Sequence, residues 1–214
     1  MTILADLLVI GGGVLIGRWI ARRLRGKDSG DQSPETDASK KETPKKDGRV
    51  GARDPLAGFP CKLGDVVVRI AERDEAWLAG ALVLEEERPV AAVFVAPEAG
   101  GDRALFVRDA PGAGLAWLAP LGKDEIPLTK DPPHAIEHGG VRYERARRLP
   151  VRVSRLGSGA PAVGERAVVA EYAGPGIERI LVVAGSDATL AWKGVALGEG
   201  EYDVLPSGKS TLDP

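Results

Sequence analysis

The chain has 214 residues, with 29 Lys and Arg against 31 Asp and Glu, a formal net charge of −2 and a single cysteine. Residues before Pro55 carry about +3, which leaves about −5 on the rest and excludes the basic footprint of a nucleic-acid binder. One cysteine excludes an intrachain disulfide and a multi-cysteine zinc site, and Cys61 has no CxxC partner or catalytic histidine motif, so it reads as an inert, half-buried thiol.

The chain opens on an apolar run, Ile3 to Ala21, that stops at Arg22, Arg23, Arg25 and Lys27. A spanning helix needs roughly 20 mostly apolar residues, and this run reaches that length if Asp6 and Arg18 snorkel to opposite interfaces. Residues 1–26 therefore read as a transmembrane anchor whose contact is the lipid bilayer along 3–21. Cations follow the run and none precedes it, which places the C-terminal part in the cytoplasm, at a bacterial inner membrane. Rival readings are a helix lying on the bilayer or a core helix of a soluble protein. A signal peptide carries its charge before the apolar core and a small-residue cleavage site after it, and this segment does neither. Gly11 and Gly13, with Gly17 one position late, look like the glycine turn of a dinucleotide-binding unit. The acid-terminated second strand that such a unit needs is missing downstream, so no cofactor is expected. Gly13 and Gly17 also form a small-xxx-small pair suited to a homodimer seam.

Residues 27–54 mix Lys, Arg, Asp and Glu with no apolar cluster, a composition that reads as a disordered tether. Such a chain of this length spans on the order of 30 Å. Residues 55–214 are long enough for one hydrophobic core. Gly and Pro punctuate short Val-, Ile- and Leu-rich runs there, which predicts an all-β domain of barrel or sandwich type. The strands expected are Asp65 to Ile70, Ala76 to Glu85, Val90 to Ala96, Ala104 to Arg108, Gly114 to Pro120 and Ala135 to His138. They continue with Val141 to Ala146, Pro150 to Arg155, Arg166 to Tyr172, Arg179 to Val183, Thr189 to Val195 and Glu201 to Leu205. Gly139-Gly140 fits a two-residue hairpin turn. Asp74 to Leu82 is the one stretch with a helical alternative.

The chain also echoes itself. Leu105-Phe106-Val107 and Leu115-Ala116-Trp117 return as Leu181-Val182-Val183 and Leu190-Ala191-Trp192. Leu63-Gly64-Asp65 with Val67-Val68 is mirrored by Val163-Gly164-Glu165 with Val168-Val169. Two related antiparallel β units, 61–133 and 134–214, are the expectation.

With Trp77, Leu118, Ile136, Gly140-Val141-Arg142-Tyr143, Ala170-Glu171-Tyr172 and Gly198-Glu199-Gly200-Glu201-Tyr202, these residues carry a resemblance. From about 61 to 206 the chain resembles the bacterial family catalogued as domain of unknown function 4178. The resemblance implies a small β-rich domain of unestablished activity. Such domains are often encoded near phage-shock-type membrane-stress proteins, membrane proteins and polyamine aminopropyltransferases. Relatives carry cysteine-rich metal-binding stretches where this chain has its apolar run. No catalytic residue is implied.

Direct chemistry is sparse. His134 and His138 have a zinc-helix spacing, but Pro132-Pro133 before them and Gly139-Gly140 after them favour a strand. Residues four apart on a strand lie about 13 Å from each other, too far to share a metal. No nucleophile elbow or phosphate loop is present, so no catalytic or metal residue is assigned. Trp117 and Trp192 read as core. Trp77, preceded by Glu72-Arg73-Asp74-Glu75, reads as a surface contact. The expectation is a membrane-tethered interaction or scaffold module with an unknown membrane-associated partner. The alternative is a small-ligand binder or enzyme with its site between the two β units.

Overall fold

Twelve strands and no helix make up the residues that the computed structural model describes, which are 54–98, 102–127 and 129–207. Most of the expected anchor and linker, with Gly13 and Gly17, lies outside them. Among the described residues no helix is long and apolar enough to cross a membrane. Two short strands come first, β1 (Val66–Arg69) and β2 (Asp74–Trp77). An antiparallel run follows: β3 (Gly80–Glu85), β4 (Pro89–Ala96), β5 (Arg103–Arg108) and β6 (Leu115–Pro120). After β7 (Ala135–His138) comes a second run, β8 (Val141–Gly157), β9 (Arg166–Ala173), β10 (Glu178–Gly185) and β11 (Thr189–Leu197). The final strand is β12 (Tyr202–Leu205).

The two runs close on each other. β6 pairs with β11 and β3 pairs with β8, both antiparallel, giving an eight-stranded barrel in the order β3-β4-β5-β6-β11-β10-β9-β8. Closure settles the barrel-or-sandwich alternative in favour of the barrel and removes the exposed edges of both runs. Alternation fills the interior with Leu82, Val93, Phe106, Leu118, Trp192, Leu181, Val169 and Val151, all buried in one cluster. Gly194 sits at the β6–β11 seam, where a Cβ would stand 1.9 Å from the Trp117 carbonyl oxygen, so only glycine lets these strands close.

Outside the barrel, the first run is covered by a small sheet of order β12-β1-β2. Val67, Ala76 and Leu78 pack there with Val83, Phe94, Leu105 and Trp117 in a second buried cluster. Asp65, the one buried charged residue among the described residues, ties this cover together. Its carboxylate accepts from the Lys62 amide (2.7 Å) and the Ser207 amide (2.8 Å), joining the two ends of the described domain. Over the second run, Ile136 and Tyr143 of the β7–β8 hairpin join Tyr172, Ile180 and Val182 in a third cluster. The hairpin turns at Gly139-Gly140, as expected, with φ of +59° and +75°.

Three expectations need correction. Ala76 to Glu85 is not one strand: the chain leaves the small sheet after Trp77 and enters the barrel at Gly80. The helical alternative for Asp74 to Leu82 fails with it. Val141 to Ala146 and Pro150 to Arg155 are parts of one 17-residue strand, bent by an irregularity between Arg145 and Arg147. Pro150 fits inside it because β7 pairing ends at Glu144 and β3 pairing begins at Arg152. Between those points β8 has a neighbour on the β9 side alone. The echo also misleads in detail. β5 and β10 are third strands of their runs and β6 and β11 are fourth strands, but Trp117 faces outward and Trp192 inward. The matched letters are one residue out of step, which swaps faces. The earlier pair fails outright, since β1 belongs to the small sheet while β9 is a barrel strand.

Candidate functional site

The inner side of the small sheet carries Val67 and Ala76, so period-two alternation turns Val66, Val68, Trp77, Glu75, Leu205 and Asp203 to solvent. Register then brings residues from three strands into rows. Leu205, Val66 and Trp77 are direct partners across the sheet, and Asp203, Val68 and Glu75 form the next row. Trp77 is 59% exposed and Leu205 52%, while Ile70, beyond the end of β1, is 46% exposed. The strand residues of this face thus combine apolar side chains with two carboxylates and no cation. Trp77 stands where a surface contact was expected. Trp117 and Trp192 are both buried at 5%.

The barrel ends differ. Near Trp192 the end is an apolar depression of about 320 Å³, walled by Val95, Pro97, Pro120, Leu121 and Leu190, with Asp102, Arg103 and Lys123 as its charged residues. It draws on both strand runs.

The remaining candidates are held in structural contacts. Cys61 is fully buried rather than half-buried, and burial, with the Asp65 charge adding to it, pushes its thiol up to about 12. His138 lies on β7, 4.0 Å from Glu125, and His134, just before that strand, contacts Arg145 at 2.9 Å. No cluster of three His, Cys, Asp or Glu suited to a metal occurs among the described residues.

One polar group went unnoticed in the sequence. The buried Tyr143 hydroxyl donates to Glu178, and the Lys193 ammonium lies 5.5 Å from the Tyr143 ring centroid and 3.9 Å from Glu178. Burial first, then the bond to Glu178, raises the Tyr143 phenol above its ordinary value. A buried phenol that donates a hydrogen bond to a carboxylate and holds its proton more tightly than usual is unsuited to act as a base. Its effect is to latch the β7–β8 hairpin onto β10 and β11. Tyr172 does similar work, donating to the Pro133 carbonyl at 2.7 Å.

No protein-family model matches the chain, no curated protein matches it, and no solved structure matches it.

Proposed function

We propose that this chain is a membrane-tethered interaction module that binds a protein partner through the outer face of the small sheet. In this reading residues 3–21 anchor it to the bacterial inner membrane with the barrel on the cytoplasmic side. The observation that carries it is the row Leu205–Val66–Trp77, in which Leu205 and Trp77 are exposed and Val66 between them is half-buried, extended by the half-buried Val68 and flanked by Asp203 and Glu75. Aromatic side chains on an accessible apolar surface are the usual anchors of protein contacts. The acidic flank selects a partner segment with apolar side chains next to Lys or Arg, and it disfavours anionic lipid as the occupant. A tether raises the effective concentration of a weak partner at the membrane without adding a contact. The resemblance to the family found beside membrane-stress proteins agrees with that setting.

A peptide array tests the reading. Apolar peptides with basic flanks should be retained over the same peptides with acidic flanks. Trp77→Ala should weaken retention about thirtyfold, the effect of a hot-spot residue worth about 2 kcal/mol. Equal retention of both sets would end the proposal. Fractionation tests the location: full-length protein should sediment with membranes, and a form starting at Asp54 should not.

The depression beside Trp192 favours a second reading, a small apolar ligand held at that end of the barrel. Its volume lies at the low end of the range for ligand pockets. A change in tryptophan fluorescence that saturates with ligand and is lost in Trp192→Phe would support it.

A further inference from the structure

The inward positions of a small barrel are filled by side chains, and here the middle layers are apolar. Arg155, the partner of Leu82, is an exposed charge on the inward phase towards the Trp192 depression, and a larger charged layer lies at the opposite end. At that end four strands place a charged residue on the inward phase. Arg108 on β5 lies two residues beyond Phe106, and Glu171 on β9 two beyond Val169. Arg147 on β8 is two before Leu149, and Arg179 on β10 two before Leu181. Register brings them together, since Glu171 is the direct cross-strand partner of Arg147 on one side and of Leu181 on the other.

Three guanidiniums around one carboxylate leave two positive charges in excess. The carboxylate does not consume their donors. Its oxygens lie 3.9 Å from Arg108 Nε and 4.0 Å from Arg147 Nη1, beyond the 2.7–2.9 Å of a charge-assisted hydrogen bond. Each guanidinium offers five N–H donors. Arg179 spends part of its set on the Glu178 carbonyl (2.7 Å) and the Gly176 carbonyl (3.3 Å).

Room exists beside them. Ala113, Gly114, Ala116 and Ala196 are small, and with Arg108, Glu171 and Arg179 they line a cavity of about 50 Å³. A water needs about 10–15 Å³ on this scale, so the cavity takes a group of about four heavy atoms. Nearer solvent, Arg88 and Asp109 neutralise each other at 2.8 Å. Glu86 and Glu87 line the outer depression with Arg108 and Arg147, so an anion must be small enough to pass them.

We propose that this end of the barrel binds a small anion, a carboxylate or phosphate group, between Arg108 and Arg179, with Arg147 beside Arg108 in the outer depression that leads to it and Glu171 as the internal counter-charge that spaces the guanidiniums. This site is independent of the small-sheet face. Burial raises the Glu171 carboxyl despite the three arginines, as expected where none of them grips it closely.

Titration calorimetry on the full-length protein at low ionic strength tests the proposal. Acetate and inorganic phosphate serve as probes, and glycerophosphoglycerol stands for a lipid head group. At least one probe should bind saturably in the millimolar range or below. Preference for phosphate over glycerophosphoglycerol would identify a free anion, and the reverse a lipid phosphodiester. Either result supports the shared chemistry. The double variant Arg108→Gln, Arg147→Gln should lose about tenfold or more in affinity, the effect of losing charge-assisted bonds. Glu171→Gln should bind severalfold more tightly, because a competing negative charge is gone. A set of arginines that merely plugs the barrel predicts altered stability and no such gain. Absence of saturable binding in the folded wild type overturns the proposal, as does unchanged affinity in the double variant. If that variant does not fold, Glu171→Gln alone decides, and unchanged or weaker binding overturns it.

Discussion

The two strand runs of the barrel have the same order and turn their tryptophans in opposite directions. In β3 to β6, Trp117 points outward and is buried by the small sheet. In β8 to β11, Trp192 points inward and fills the barrel near one end. One run needs a separate cover over its outer face. The other supplies its own, by extending β8 into the β7–β8 hairpin and fixing it with Tyr143 and Tyr172. A barrel this small has more apolar outer surface than solvent tolerates, so each half must find a second layer. The covers, rather than the strand order, distinguish the halves.

The largest effect should come from breaking the join between the runs. Gly194→Val drives a side chain into the Trp117 carbonyl at the seam and should cost about 4 kcal/mol or more, with chemical denaturation as the measure. A well-folded variant with unchanged midpoint would show that the seam has slack.

The two tryptophans sharpen the comparison. Trp192→Ala and Trp117→Ala should each cost about 3–5 kcal/mol. They should differ in what becomes exposed. Losing Trp117 loosens the small sheet, so Cys61, buried beneath it with its thiol held at about 12, should begin to react with thiol reagents. Losing Trp192 should leave Cys61 protected. Equal reactivity in the two variants would deny that the covers are separate.

The latch on the second run is weaker. Tyr143→Phe removes the hydroxyl bond to Glu178 and should cost about 1 kcal/mol. Hydrogen exchange should show the loss first in the β7–β8 hairpin, and uniform exchange across the barrel would argue against a local latch.

A fourth measurement concerns pH. Glu171 has a raised carboxyl, so the folded state holds this proton more tightly than the unfolded chain does. That contribution is fully present below the ordinary carboxyl range and is lost as pH rises through the folded value. Wild-type protein should lose this increment across that interval, and Glu171→Gln should not. Parallel pH curves would sink the assignment. The smallest effect belongs to Trp77→Ala, whose exposed side chain should change stability by about 0.5 kcal/mol or less.

Strand positions were largely legible because alternation and Gly-Pro punctuation are local. Val141 to Arg145 and the Gly139-Gly140 turn needed nothing from afar. The failures lay at junctions. Nothing local separates Trp77 from Gly80, since whether the chain continues one strand or changes sheets depends on which neighbour accepts its backbone. Pro150 marked a break by ordinary rules and was tolerated because of pairing on one side alone. Trp77 was legible as a surface residue from the charged residues before it. Its companions Val66 and Leu205 were not, because they come from strands 139 residues apart in sequence that β1–β12 pairing brings together.

The sequence by itself determined an all-β domain, the faces of its cleaner strands and the split of its tryptophans into core and surface, because side-chain period and turn chemistry are written residue by residue. Only the tertiary structure decided that two runs close into a barrel and that Leu205, Val66 and Trp77 share a row. It alone also brought Arg108, Arg147, Glu171 and Arg179 to one end. Each of these depends on register between strands distant in sequence, and a one-residue slip would turn every such side chain to the opposite face.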